Sequence, residues 1–135
     1  MSLPICCGVA ALFLGALGLT GCGPAGPERF EVNGSVTYQG APVPAGSVVF
    51  EPDPKHGNQG PAGQALIREG QYRTLPDKGT IGGSQVVKIY AFDGKANLDQ
   101  GSRHGRLLRS VYQIPLELPR ANTTLDFAIP QEAKP

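Results

Sequence analysis

Few side chains in this sequence have the type and spacing that catalysis or metal binding requires. The chain has two histidines, His56 and His104, and each stands next to a glycine in a polar stretch. Catalysis needs a nucleophile, a base and oxyanion donors within reach of one another, and neither histidine belongs to a recognisable metal-binding pattern. We therefore predict two solvated surface histidines, no catalytic residue, no bound metal and no cofactor.

Oxygen-bearing side chains recur between Asp93 and Asp99, where Asn97 completes a set that a calcium ion could use. The segment lacks the order of an EF-hand loop, in which a glycine follows the third ligand and a glutamate closes the loop. Gly94 and Lys95 are not followed by serine or threonine, so they do not form a phosphate-binding loop either. The sequence favours a plain hairpin loop here.

Basic side chains gather in and after this loop. The set comprises Lys95, Arg103, His104, Arg106 and Arg109. The whole chain balances 12 Lys and Arg against 11 Asp and Glu, which argues against nucleic acid as the partner. Arginine suits bidentate contact with carboxylates and phosphates. We predict that residues 95–109 face an envelope polymer, a lipid head group or a protein; a solvated hairpin with scattered charge is the alternative.

Cys22 could carry a different chemistry, the attachment of a lipid. It follows an apolar run over residues 9–19, which is too short to span a bilayer but fits the apolar region of a secretory signal. Leu19-Thr20-Gly21-Cys22 resembles the bacterial lipobox. The resemblance implies cleavage before Cys22 and diacylglyceryl transfer to its thiol. The alternative is an ordinary secretory signal that happens to end at a cysteine.

These features divide the sequence into four parts. We predict a signal peptide over residues 1–21, a lipid-anchored Gly/Pro tether over 22–29, one β-domain over 30–130 and a polar tail over 131–135. Cys6 and Cys7 leave with the signal peptide, so Cys22 remains without a partner for a disulfide. The expected location is the cell membrane or outer membrane, with the domain facing the periplasm or the exterior.

Beyond the tether, glycines and prolines separate short alternating segments rich in Val, Ile, Phe, Tyr and Thr, which is typical of short strands. The predicted strands cover residues 30–38, 47–51, 64–68, 71–75, 84–92, 107–118 with a break at Pro115, and 123–129. Pro42 and Pro44 predict a loop over 41–46, and residues 52–63 predict a long exposed loop that is the second candidate for function. About seven strands predict an all-β fold, an antiparallel β-sandwich.

Alternate side chains of a strand point to opposite faces, so each predicted strand has an inward-facing set. The predicted core comprises Val32, Val36, Val48, Phe50, Ile67, Tyr72, Val87, Ile89, Leu125 and Phe127. Gly34 interrupts the first strand and predicts a bulge or a close approach of another backbone.

The glycines, prolines and apolar residues of the first hairpin resemble those of a known family. They run Val32-x-Gly34-x-Val36-x-x-x-Gly40-x-Pro42-Val43-x-x-Gly46-x-Val48-x-Phe50. This spacing is similar to the start of carboxypeptidase-regulatory-like, transthyretin/prealbumin-like domains, especially those of small bacterial lipoproteins. Further similarity lies in Ala65-x-Ile67, Gly70-x-Tyr72 and Val87-x-Ile89. The resemblance implies a transthyretin-like sandwich over the whole domain.

The resemblance also implies a function, since these domains are accessory modules. We expect a non-catalytic binding or scaffolding domain on a membrane-anchored lipoprotein. A structural component of the cell envelope is one alternative. A transthyretin-like hydrolase is the less favoured one, because such hydrolases have several active-site histidines and a C-terminal Tyr-Arg-Gly-Ser, whereas this sequence reads Gln-Glu-Ala-Lys-Pro there.

Overall fold

A computed structural model describes residues 26 to 132. The predicted signal peptide, Cys22 and the last three residues of the predicted tail lie outside the described residues. Within them, short alternating segments form strands and two single-turn 3-10 helices occupy connections. The prediction of an all-β chain is confirmed at this level.

Nine strands make up the domain. They are β1 (Val32–Tyr38), β2 (Ala41–Pro42), β3 (Ala45–Pro52), β4 (Gly63–Arg68), β5 (Gln71–Thr74), β6 (Gly83–Phe92), β7 (Tyr112–Leu118), β8 (Thr123–Thr124) and β9 (Phe127–Ile129). The 3-10 helices are Pro54–His56 and Leu98–Gln100.

Seven of these strands form one curled, mainly antiparallel sheet in the order β2-β1-β5-β4-β3-β6-β7. The remaining two, β8 and β9, pair with β1 in parallel, so the prediction of a wholly antiparallel fold is wrong at this point. The physical reason is the path of the chain, which crosses over after β7 before it runs beside β1. As a result β1 pairs with β5 and β8 along its first half and with β2 and β9 along its second.

Two prolines lie in the strands at the two ends of the sheet path, contrary to prediction. Ala41–Pro42 forms β2, and β3 already begins at Ala45, so the predicted loop over 41–46 is wrong. Pro115 does not interrupt β7. Both strands end the sheet path, and a proline is tolerated at an edge because its missing N–H is not needed by a neighbouring strand.

Two other predicted strands differ from the observed ones by more than two residues or by a break, and the remaining boundaries differ by one or two residues. The strand predicted over 107–118 begins only at Tyr112, and Leu107 makes a single bridge to Phe92. The strand predicted over 123–129 is divided into β8 and β9. Between the two strands, the Leu125 carbonyl lies so close to Gly34 of β1 that a Cβ at Gly34 would overlap it. The predicted close approach at Gly34 is therefore confirmed.

The predicted core is confirmed at every position but one. Leu125 is only partly buried and packs against the core from its rim. The buried set also includes Val43, Ala65, Ala91, Leu118 and Ile129. At its centre the Tyr72 ring lies between two others, 6.4 Å from Phe50 and 5.9 Å from Phe127 between ring centroids. The Tyr72 hydroxyl donates to the Leu125 carbonyl oxygen at 2.5 Å, so one side chain joins β5 to the segment between β8 and β9.

Candidate functional site

Most of the predicted binding segment forms an ordered projection, which we call the hairpin arm (residues 93–106). It continues the hairpin between β6 and β7 beyond the Phe92–Leu107 bridge. Backbone hydrogen bonds cross it from the Asp93 N–H to the Arg106 carbonyl (2.9 Å) and from the Asn97 N–H to the Ser102 carbonyl (2.8 Å). The prediction of a hairpin loop here is therefore confirmed.

The base of the hairpin arm is organised by one carboxylate. Asp93 Oδ1 accepts the backbone N–H groups of Lys95 (2.9 Å) and Arg106 (3.1 Å). These hydrogen bonds lower the pKa of Asp93 because they favour the charged form. Gly105 has a φ of 90°, and a Cβ there would overlap Asp93 Oδ1. Glycine thus permits the two sides of the arm to meet at the carboxylate.

The tip of the hairpin arm is a capped turn. Its 3-10 helix begins after Asn97, whose side chain accepts the Gln100 N–H at 3.2 Å, and ends at Gly101 in a left-handed conformation. This turn holds Leu98 in solvent with 80% of its surface exposed. Asp99 beside it is also exposed. An apolar side chain and one carboxylate therefore stand at the end of the arm.

The stem of the hairpin arm carries the basic side chains. Lys95, Arg103 and Arg106 are exposed. His104 is exposed too, as predicted, but its ring packs against Phe92 with 5.8 Å between centroids. Four of the five predicted binding residues are therefore brought together on this projection.

The fifth predicted residue, Arg109, lies outside the hairpin arm and makes contacts within the chain. Its Nη1 donates to the Pro130 carbonyl at 2.5 Å, and its guanidinium carbon lies 5.3 Å from the centre of the Tyr112 ring. Its Nε is 3.7 Å from Glu132, and only 15% of the side chain is exposed. Ser110 donates to the same carboxylate through both its N–H and its hydroxyl, which lowers the pKa of Glu132. Arg109 thus helps to hold the segment after β9 against the segment before β7.

The hairpin arm and the start of the domain lie at opposite ends of β6. Phe30 pairs with Thr80 through two backbone hydrogen bonds of 2.8 and 3.0 Å, a few residues before β6 begins. The arm starts where β6 ends. The ten residues of β6 span roughly 33 Å at about 3.3 Å per residue. Residues 26–29 therefore leave the domain about one strand length away from the base of the arm.

A second surface feature was not predicted. The outer faces of β1, β4 and β5 form an open groove of about 620 Å³ whose walls include the exposed Leu66 and Leu75. Of its charged groups, Arg73 contacts Glu31 at 2.8 Å and Asp126 accepts the Ser35 N–H at 2.8 Å, while Arg68 is exposed. An outward-facing leucine in β4 and another directly after β5 are the signal in the sequence that could have indicated this groove.

The predicted exposed loop over 52–63 contains a carboxylate–imidazole pair that was also missed. Asp53 is buried, and its Oδ2 lies 2.7 Å from Nδ1 of the exposed His56. The same carboxylate accepts the Lys55 N–H at 3.0 Å, and the hydrogen bond with His56 is the main cause of its lowered pKa. Ser84 lines the groove beside this pair, but its hydroxyl donates to Glu117 at 2.6 Å. The pair therefore serves as the cap of the 3-10 turn.

Neither a metal cluster nor a spanning helix occurs in the described part of the chain. No group of three or more His, Cys, Asp or Glu side chains converges within residues 26–132. Among the same residues, no helix is both long and apolar enough to cross a bilayer. Comparison of the chain with protein-family models, with curated proteins and with solved structures gives no match.

Proposed function

We propose that this protein is a membrane-anchored extracytoplasmic lipoprotein whose non-catalytic domain binds anionic components of the cell envelope through the hairpin arm. The observation that carries the proposal is the arm itself. Its backbone is fixed by hydrogen bonds while its basic side chains remain exposed. A rigid scaffold that presents loop residues in this way is the usual arrangement of a recognition site in β-domains.

The domain in this proposal is a β-sandwich similar to transthyretin and to carboxypeptidase-regulatory-like modules. Two observations support it beyond the spacing of the first hairpin. The buried side chains of β3, β4 and β6 form a single cluster with those of β1 and β9, as two packed layers require. In addition β1 changes its neighbours midway, which is how one strand can serve two layers.

The membrane anchor in this proposal is lipid on Cys22. Support comes from the lipobox-like residues before Cys22 and from the Gly- and Pro-rich sequence after it, which favours a short extended tether. The domain would then face the periplasm or the exterior from the cell membrane or outer membrane. Because the tether joins the domain opposite the hairpin arm, the arm would stand away from the anchored leaflet.

The electrostatics of the hairpin arm favour an anionic partner. Lys95, Arg103 and Arg106 outnumber Asp99 among its exposed charged side chains. Asp93 is engaged by two backbone N–H groups, which offset its charge locally. Exposed charges of one sign accelerate encounter with an oppositely charged surface, and salt weakens this attraction.

The test is co-sedimentation of the purified full chain with anionic envelope fragments at low and high salt. Arg103→Glu combined with Arg106→Glu should reduce low-salt binding about tenfold or more, because each reversal replaces an attraction with a repulsion. Arg68→Glu combined with Lys78→Glu is the matched control, since both side chains are exposed and lie outside the hairpin arm. Equal losses in the two double variants would contradict the proposal, as would unchanged binding of the arm variant with an intact fold.

A further inference from the structure

We propose that the partner of the hairpin arm is the anionic surface of a lipid bilayer that faces the anchored membrane, and that Leu98 enters its interfacial region. This inference rests on the proposed function, because it uses the same arm and names the class of surface to which the arm binds. It concerns a second membrane contact, distinct from the lipid on Cys22.

The exposed apolar side chain at the tip of the hairpin arm favours a partner with an apolar region. Leu98 is the most exposed large hydrophobic side chain in the described part of the chain, and Ala96 is exposed next to the same turn. The side-chain cap from Asn97 fixes the turn, so the leucine is held outward by local structure. A soluble polyanion has no apolar layer that could receive this side chain, whereas a bilayer has one directly beneath its head groups.

The stem of the hairpin arm calls for an anionic surface at the same time. Lys95, Arg103 and Arg106 lie on the stem behind the leucine. Basic side chains behind an apolar tip match the order of a membrane surface, where anionic head groups lie outside the acyl chains. Asp99 opposes this attraction from the tip itself, so its removal should strengthen the contact.

The other exposed leucines do not form an equivalent site. Leu66 and Leu75 lie on the face of the sheet, in the groove where Arg73 is already paired with Glu31. A flat face offers no protruding apolar tip, and one of the two cations in this groove, Arg73, is held by Glu31. The hairpin arm combines a protruding apolar tip with exposed basic side chains at the end of β6 that is remote from the tether.

The experiment places the lipidated full chain in donor vesicles of phosphatidylcholine, whose surface is uncharged, and measures capture of fluorescent acceptor vesicles. Acceptors that contain phosphatidylglycerol should be captured, and acceptors of phosphatidylcholine alone should not. Leu98→Ser should weaken capture about tenfold, the scale expected when one leucine no longer enters an apolar phase. Asp99→Asn should strengthen capture about fivefold, since one charge near such a surface changes binding by that order. Leu66→Ser is the matched control and should leave capture unchanged.

A parallel experiment with beads that bear polyglutamate separates the lipid inference from the proposed function. Leu98→Ser should bind these beads like the wild type, whereas Arg103→Glu combined with Arg106→Glu should bind neither beads nor vesicles. If Leu98→Ser leaves vesicle capture unchanged while the arginine variant loses it, the bilayer inference is overturned and the proposed function stands. If the arginine variant retains binding to both surfaces, both proposals fail.

Discussion

The hairpin arm and the rest of the domain, which we call the body, are ordered by different forces. In the body, side chains such as Phe50 and Tyr72 are removed from water and pack against residues distant in sequence. In the arm, order comes from local backbone hydrogen bonds and from Asp93, while the side chains of Lys95 and Leu98 remain in solvent. The difference implies that stability and the proposed recognition are separable, because the exposed residues proposed to bind are not those that hold the core together.

The largest effect expected from any substitution is detachment of the whole body. Cys22→Ser removes the thiol that would carry the lipid, and two or more acyl chains are needed for stable attachment. The variant should move from the detergent phase to the aqueous phase and should no longer incorporate labelled palmitate. If the wild-type protein takes up no palmitate, the prediction of a lipid anchor on Cys22 is wrong.

Within the body, Phe50→Ala should cost the most stability. The ring is fully buried, and truncation of a buried phenylalanine lowers the free energy of unfolding by about 3 to 5 kcal/mol, a large share of the total for a small domain. Urea unfolding of wild type and variant measures it. Under conditions where the variant is still folded, binding through the hairpin arm should be unchanged. A loss below about 1 kcal/mol would mean that the site tolerates the truncation by collapse.

A smaller effect is expected at the hydrogen bond that joins β5 to the segment between β8 and β9. Tyr72→Phe keeps the ring between Phe50 and Phe127 but removes the donor to the Leu125 carbonyl, which should cost about 1 to 2 kcal/mol. Burial and the nearby Asp126 raise the pKa of Tyr72, so the loss should be the same from neutral to moderately alkaline pH. Tyr90→Phe is the control, because its hydroxyl makes no hydrogen bond within residues 26–132. An equal loss of stability in the two variants would show that the hydrogen bond from Tyr72 to Leu125 contributes no stability of its own.

The smallest effect on global stability is expected in the hairpin arm, where acid should act locally. Because the folded pKa of Asp93 is lowered, its contribution is present above the ordinary aspartate pKa and is lost as pH falls through the lowered value, below about pH 4. Hydrogen exchange at the Lys95 and Arg106 amides should accelerate in that range beyond the change in intrinsic rate. Asp93→Ala should show fast exchange in the arm at neutral pH with little change in the unfolding midpoint. A large fall in that midpoint would show that arm and body are not separable.

Sequence periodicity predicts the body well because burial has a short-range signature. The alternation through Val48 and Phe50, and through Val87 and Ile89, is visible within a few residues and identifies the inward face correctly. The same alternation places Gln85 inward, where it is 1% exposed and donates to the Gly82 carbonyl, although its polar side chain alone would suggest the surface. Position in the strand thus outweighed residue type.

The errors share a physical origin, which is that strand partners are not encoded locally. Pro42 and Pro115 suggest breaks unless the strand is known to lie at an edge, and only the tertiary fold decides which strands do. The parallel addition of β8 and β9 to β1 likewise depends on a long crossover. At the candidate site, sequence reasoning identified the basic segment but not its separation into the hairpin arm and Arg109. That separation depends on contacts of Arg109 with Pro130 and Glu132, far along the chain.

The pairing of β1 with β9 sets the order in which this protein can be completed during synthesis. Val36 lies beside Phe127, and the hydrogen bond from Ser35 to Asp126 joins residues 91 positions apart. A ribosome that works from the amino end makes β1 first of these strands and β9 last. The second half of β1 can pair with β2 at once, but it lacks its other neighbour until β9 has been made. Folding dominated by such distant pairings is also slow. The domain should therefore complete its fold only after β9 has left the ribosome.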